Sequence, residues 1–150
     1  HTHTHTHTHT HARTFGRQTH YTNKLPPAGQ YIFDLREKNP EYTFHLISDS
    51  EADAFMEKFE MTRVRQAYFS INPSLGASRA DVWRYAVLYQ HGGIYLDIDS
   101  SCQPFRDIIK PEDVSVLSWA GQWHRKFCSW DREVDQWVMM FAPKHPFLKR

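Results

Sequence analysis

Two aspartates one residue apart, Asp97 and Asp99, have the types and spacing in this chain that most clearly suggest chemistry. They end an apolar run, residues 92–99, that reads as a strand, although Asp is depleted from strands because its short side chain competes for the backbone. Residues two apart on a strand face the same side, which places the Cα atoms about 7 Å apart. Two neighbouring carboxylates repel unless hydrogen-bond donors or a cation compensate. Mg²⁺ and Mn²⁺ prefer such oxygen ligands and usually share them with phosphates.

The same alternation predicts how the whole strand is oriented. Ile94, Leu96 and Ile98 form one apolar face, while Tyr95 shares the other face with the two aspartates. The alternative is that the two aspartates only end a solvated strand and have no functional role. The Gly92-Gly93 pair and Tyr95 favour a functional site.

The segment before this strand, residues 78–91, is the clearest predicted helix, and Gly92 is placed to end it with a left-handed residue. Asp81 and Arg84 are three apart and therefore share a helical face. A surface ion pair worth under ~1 kcal/mol is one interpretation. A role beside the two aspartates is the other.

The rest of the chain predicts an α/β fold, because helices and strands alternate along it. Asn39-Pro40 stops the first helix, and Ser48 is an expected N-cap. The predicted helices span residues 31–38 and 51–59, and the predicted strands span residues 42–47, 114–119 and 138–142.

Composition excludes several classes of protein. The 150 residues support one core, and the net charge of +1 comes from interleaved charges, so nucleic acid is not an expected partner. No apolar stretch reaches the ~20 residues needed to span a bilayer. The spacing of Cys102 and Cys128 fits no zinc pattern, which favours two thiols over a disulfide.

Residues 1–10 are five His-Thr repeats, which a CA-repeat microsatellite or an added affinity tag would produce; a natural metal-binding tract is a third interpretation. Polar repeats cannot bury a core, so we expect residues 1–22 to be a disordered lead. The folded domain is expected over residues 23–150.

Two other functions for the aspartate pair can be weighed from the residues. A calcium loop starting at Asp97 needs Gly and Glu where Cys102 and Ile108 stand, which excludes it. A phosphatase of the haloacid-dehalogenase type would use Asp97 as nucleophile and Asp99 as general acid/base. That site also needs residues well downstream, and few remain after Ser101.

Residues 78–99 resemble the DXD region of glycosyltransferase family 32, a family of GT-A enzymes that includes α-1,6-mannosyltransferases and inositol-phosphoceramide mannosyltransferases. The pattern S-x-x-D-x-x-R followed by G-G-I-Y-L-D-x-D is far more specific than a bare D-x-D. The resemblance extends from about Leu25 to the C-terminus, through the Asn39-Pro40-Glu41-Tyr42 and His145-Pro146-Phe147 stretches.

The resemblance implies a GT-A-type Rossmann-like sheet flanked by helices, and a retaining hexosyltransferase that requires Mn²⁺ or Mg²⁺. It implies that Asp99 and Asp97 hold the metal as the catalytic pair, and that Asp81 and Arg84 bind the donor sugar. Tyr95 would line the nucleotide pocket, and Asp97 would also contact the donor. The implied partners are a nucleotide-sugar donor, with GDP-mannose favoured and a UDP-sugar possible, and a glycan or glycolipid acceptor.

Two departures from the family pattern set further expectations. The family usually begins with a strand that contacts the base, and residues 13–20 do not match it. The family's C-terminal portion does not follow Arg150. The chain is therefore expected to be a fragment incomplete at both ends, and an inactive nucleotide- and metal-binding remnant is an alternative function. The chain itself indicates no location; if the protein is eukaryotic and full length, a missing N-terminal anchor is expected to hold it in the Golgi membrane, on the lumenal side.

Overall fold

The computed structural model describes residues 13–17, 28–97, 100, 102–120 and 133–149. The strands are β1 (Arg13–Arg17), β2 (Thr43–Ile47), β3 (Gly93–Asp97), β4 (Ser115–Ala120) and β5 (Glu133–Phe141). The helices are α1 (Ala28–Lys38), α2 (Asp49–Glu57), α3 (Thr62–Ser70) and α4 (Gly76–His91). Short 3₁₀ helices lie at Phe105–Asp107 and Pro146–Lys149.

The five strands form one mixed sheet in the order β2-β1-β3-β5-β4. β1 runs parallel to both β2 and β3, and β5 runs antiparallel to β3 and β4. The chain leaves β1 toward β2 on one side and later returns to β3 on the other. Strand order therefore reverses between β1 and β3, and ligands of α/β sheets bind outside the carboxyl ends of the strands at such a point.

Alternation along β3 divides the core into two layers, as the sequence predicts. Tyr95 packs in the cluster that α2, α3 and α4 build on one face of the sheet, around Trp83 and Leu88. Ile94 and Leu96 pack on the opposite face, where Leu35 of α1 and Phe105 cover them. Each of these buried side chains contributes roughly 1.5–3 kcal/mol by leaving water. The predicted α/β class is confirmed.

Local chemistry explains where the helices begin and end. Ser48 and Glu51 form a reciprocal capping box at the start of α2. Asn39 ends α1: its side-chain amide donates to the Leu35 carbonyl (2.9 Å), and its Oδ1 accepts from the Phe105 backbone N–H (2.6 Å). Gly92 follows α4 with φ 63° and ψ −165°, so the predicted positive φ is correct and the left-handed helical ψ is not.

Several boundaries differ from the sequence-based predictions. Disorder up to Thr22 is wrong for Arg13–Arg17, which form β1. Helix α3 was not predicted, and β5 begins at Glu133 rather than near Val138. Cys102 is a free thiol whose pKa burial raises; Cys128 lies outside the described residues. No described helix is both long and apolar enough to cross a bilayer.

Candidate functional site

Asp97 ends β3 directly beside the reversal of strand order, where its Cα pairs with that of Arg17 at the end of β1. About a third (36%) of its side chain is exposed, so the carboxylate is open to a ligand while held by the protein. The predicted position at the carboxyl end of a central strand is confirmed for Asp97. Ile98 and Asp99 lie outside the described residues.

Arg84 brings the predicted residues of α4 and β3 together. Its Nη2 donates to Asp81 Oδ1 at 2.6 Å, and its Nη1 lies 3.6 Å from Asp97 Oδ1. The ion pair between Asp81 and Arg84 forms, but it is not a solvated surface pair, because Arg84 is only 5% exposed. A buried charge needs such partners, since an unpaired one costs several kcal/mol.

The third partner of Arg84 comes from β5. Nη1 donates to the backbone carbonyl of Gln136 at 2.7 Å, and the Gln136 side chain accepts from Tyr85 at 3.2 Å. The β4–β5 register shifts between Leu117 and Trp119, at the level of this contact. The sequence did not predict the role of Gln136, because its backbone carbonyl lies 52 residues from Arg84 along the chain. A backbone carbonyl has no residue-type signature. Among the described residues, no group accepts a hydrogen bond from the buried Arg84 Nε.

Tyr95 lies behind Asp97, in the core. Tyr95 is 1% exposed, so it offers almost no surface to a nucleotide pocket beside Asp97. Its hydroxyl donates to Asp97 Oδ1 at 2.6 Å, and the guanidinium of Arg84 lies 4.8 Å from the ring centroid. Burial raises the pKa of Tyr95 and the Asp97 charge raises it further, against an opposing effect of Arg84. The hydroxyl therefore keeps its proton and acts as a donor.

The donor atoms at this site are of the chemical type that binds divalent cations. A partly exposed carboxylate at a strand end offers the hard oxygen ligand that Mn²⁺ and Mg²⁺ prefer. No cluster of three or more His, Cys, Asp or Glu side chains able to hold a metal occurs in the part of the chain that the structure describes, to which Asp99 does not belong. Asp97 would therefore contribute one oxygen ligand to such a site.

An apolar groove of about 490 Å³ runs along α4 next to this site. Asp81 stands at its margin as the charged member of the lining, and 46% of its side chain is exposed. The other lining side chains come from α4, from the α2–α3 region and from the C-terminal 3₁₀ helix: Phe59, Met61, Val64, Val82, Tyr85, Ala86, Tyr89, Phe147 and Leu148.

Comparison with protein families identifies the class. Residues 28–116, more than half of the chain, match the family described as "Glycosyltransferase sugar-binding region containing DXD motif". The chain belongs to this glycosyltransferase family. The match covers α4 and β3, and so includes Arg84 and the three side chains that meet it, Asp81, Tyr95 and Asp97.

Curated relatives lie within the same class. The chain is 30% identical to the mannosyl phosphorylinositol ceramide synthase CSH1 of Saccharomyces cerevisiae, over 87% of this chain and 31% of that protein. It is 31% identical to inositol phosphoceramide mannosyltransferase 3 of Schizosaccharomyces pombe, over 87% of this chain and 33% of that protein. The initiation-specific α-1,6-mannosyltransferase of Candida albicans is 33% identical over 47% of this chain and 18% of its own length. The chain thus spans about a third of the first two relatives.

A solved structure supports the fold. The PaToxG glycosyltransferase superposes with a TM-score of 0.64 at 18% identity, covering 93% of this chain and 57% of that one. At that identity the likeness concerns the fold alone. The predicted GT-A-type architecture is confirmed.

Proposed function

We propose that this chain carries the donor site of a glycosyltransferase that moves a hexose from a nucleotide-sugar to a hydroxyl of a glycan or glycolipid. The convergence of Asp81, Arg84 and Asp97 at the carboxyl end of β3 carries this proposal. Two partly exposed carboxylates and a buried guanidinium lie beside the point where α/β sheets bind ligands. With Tyr95 behind them, these residues form the proposed donor site.

Asp97 and Asp99 would hold the metal, Mn²⁺ or Mg²⁺. When bound, the cation acts as a Lewis acid for the negative charge that develops on the departing diphosphate. The protein's own part is to hold Asp97 at the strand end before any ligand arrives, with the buried Arg84 charge 3.6 Å from its carboxylate. Such preorganised charge is the largest contribution in many enzymes.

Asp81 and Arg84 would bind the donor sugar. The Asp81 carboxylate is a hydrogen-bond acceptor for sugar hydroxyls, and Arg84 fixes the orientation of that carboxylate through its Nη2. Precise placement of the sugar matters because orientation can supply ~7–11 kcal/mol of a barrier. Retention of the anomeric configuration, by attack of the acceptor hydroxyl on the face that the diphosphate leaves, follows from the family resemblance.

Mannose from GDP-mannose is the donor we favour, because the relatives named above are mannosyltransferases. Two of those names include inositol phosphoceramide or its mannosylated form, which supports a glycolipid acceptor. A UDP-sugar donor, a Golgi location and an N-terminal anchor remain predictions. A phosphatase is not supported by the family match, and an inactive binding remnant is the outcome that the test below separates.

The test measures ligand binding and turnover on the same chain. Titration calorimetry with GDP and with UDP, each with and without Mn²⁺, should show binding that requires the metal and prefers GDP. Asp97→Asn and Asp99→Ala should lose most of the affinity that Mn²⁺ adds. Release of GDP from GDP-mannose should fall by at least ~10²–10³-fold in Asp99→Ala, the usual effect of losing one electrostatic stabiliser.

The matched control is Glu57→Gln, which neutralises an exposed carboxylate on α2. It should bind and turn over as the parent chain does. Metal-independent turnover, or full activity of Asp99→Ala, would contradict the proposal. Metal-dependent GDP binding without sugar release would identify a binding remnant, and release of phosphate from phosphomonoesters dependent on Asp97 would identify a phosphatase.

A further inference from the structure

The buried hydroxyl of Tyr95 contacts the proposed site from the protein core, on the side of its own ring, where no ligand can reach. It donates to Asp97 Oδ1 at 2.6 Å, and the ring is held by the Arg84 guanidinium on its face and by Trp83, whose ring centroid lies 6.3 Å away in an edge-on contact. We infer that Tyr95 is a positioning residue, which acts on metal and donor only by fixing the Asp97 carboxylate. The inference rests on the proposed function for the identity of those ligands.

The Tyr95 hydroxyl matters for the orientation of Asp97 because Arg84 lies close to the same carboxylate. Arg84 Nη1 lies 3.6 Å from the same Asp97 oxygen, beyond hydrogen-bond distance but close enough for strong attraction. The Tyr95 hydroxyl donates to that oxygen and orients the carboxylate. Without the hydroxyl, Asp97 can turn toward Arg84 and shorten the existing ion pair to a hydrogen-bonded one. A cation would then have to break that pair before it could bind.

The chain contains a second arrangement of the same three residue types. Tyr68 of α3 donates to Asp53 Oδ1 of α2 at 2.6 Å, and the guanidinium of Arg79 on α4 lies 5.1 Å from the Tyr68 ring centroid. Arg79 also donates to the Ile71 carbonyl, at 3.1 Å from Nε and 3.0 Å from Nη2. This set joins three helices and lacks the strand end that the first set serves, so its role is structural.

The pair of arrangements provides a matched experiment. Tyr95→Phe and Tyr68→Phe each remove one buried hydroxyl that donates to a carboxylate and keep the ring. Both should lower the stability measured by urea unfolding to a similar extent. Electron paramagnetic resonance of free Mn²⁺ then gives the affinity for the metal alone, and calorimetry gives the affinity for GDP with Mn²⁺.

The positioning role predicts that Tyr95→Phe weakens binding of Mn²⁺ alone by about 10-fold, the lower end for a hydrogen bond to a charged group. Tyr68→Phe should stay within about twofold of the parent chain. Direct contact between Tyr95 and the nucleotide would instead weaken GDP binding and leave Mn²⁺ binding unchanged. That result, or parent-like binding in Tyr95→Phe, overturns the inference.

A double-mutant cycle between Tyr95→Phe and Asp97→Ala in urea unfolding needs no ligand. Coupling equivalent to about 10-fold in the unfolding equilibrium is expected, and its absence overturns the inference. Failure of the parent chain to bind Mn²⁺ with GDP or UDP would reject the proposed function. The positioning role would then be decided by the coupling alone.

Discussion

Gly92 lies between the end of helix α4 and the start of strand β3, directly beside Pro143. A methyl group added there would lie 2.6 Å from Pro143 Cδ, 2.7 Å from Pro143 N and 3.0 Å from the Phe141 carbonyl oxygen. Two of those neighbours are backbone atoms, which cannot turn away as a flexible side chain does. The backbone has φ 63° and ψ −165°, a combination essentially restricted to glycine.

Gly92→Ala should therefore be strongly destabilising. The backbone conformation costs an alanine about 1–3 kcal/mol, and overpacking adds about 1–3 kcal/mol. We expect a loss of at least about 3 kcal/mol, a large part of the 5–15 kcal/mol typical of a domain. The same displacement would shift the start of β3, and with it Asp97, so binding of Mn²⁺ and GDP should weaken as well.

Gly76→Ala is the matched control, because nothing lies within 4 Å of a methyl group at that position in the first turn of α4. It should leave stability unchanged or raise it by up to about 1 kcal/mol. Urea unfolding of both variants, followed by fluorescence of the tryptophans, gives the comparison. Equal midpoints for Gly92→Ala and Gly76→Ala would refute this account of the α4–β3 junction.

Two further predictions concern local hydrogen bonds. Asn39→Ala should lower the free energy of unfolding by about 2 kcal/mol or more, because it leaves the buried Phe105 N–H unpaired; Asn72→Ala, which removes exposed bonds to Ser74, should cost clearly less in the same urea assay. The Ser48 hydrogen bonds lower the pKa of Glu51 in the folded state, so this stabilisation is present above the unfolded pKa and is lost as the pH falls through the folded pKa. Glu51→Ala should therefore be less stable than the parent chain at pH 7, and the difference should shrink below the ordinary value of 4.5; a constant difference would contradict the assignment.

The site could be predicted from sequence where its geometry follows from one element. The two-residue period of a strand places Tyr95 beside Asp97, and the helical period places Asp81 beside Arg84. Which of these groups is buried depends on β5, a distant and irregular strand that supplies the Gln136 carbonyl. Backbone acceptors carry no residue signature, and no local pattern indicates them.

The same distinction explains the missed elements of the fold. Arg13–Arg17 contains two arginines and a glycine, a weak strand signal. It becomes β1 because pairing with β2 and β3 satisfies its backbone on both sides, a contribution that comes from the partners and not from the segment itself. Asn39 could be recognised as a helix stop, but its hydrogen bond to Phe105 spans 66 residues and has no local signal.

The buried position of Arg84 makes the stability of the core and the chemistry of the site interdependent. Its charge is compensated by Asp81, Asp97 and the Gln136 carbonyl, so any variant that neutralises one carboxylate also weakens the pairing of a buried cation. A ligand cation at Asp97 would make the same demand on that carboxylate, and the Tyr95 ring and Asp81 would keep Arg84 in place while it does so. We therefore expect variants of Tyr95 and Arg84, which orient the carboxylates, to weaken ligand binding as variants of the carboxylates themselves would.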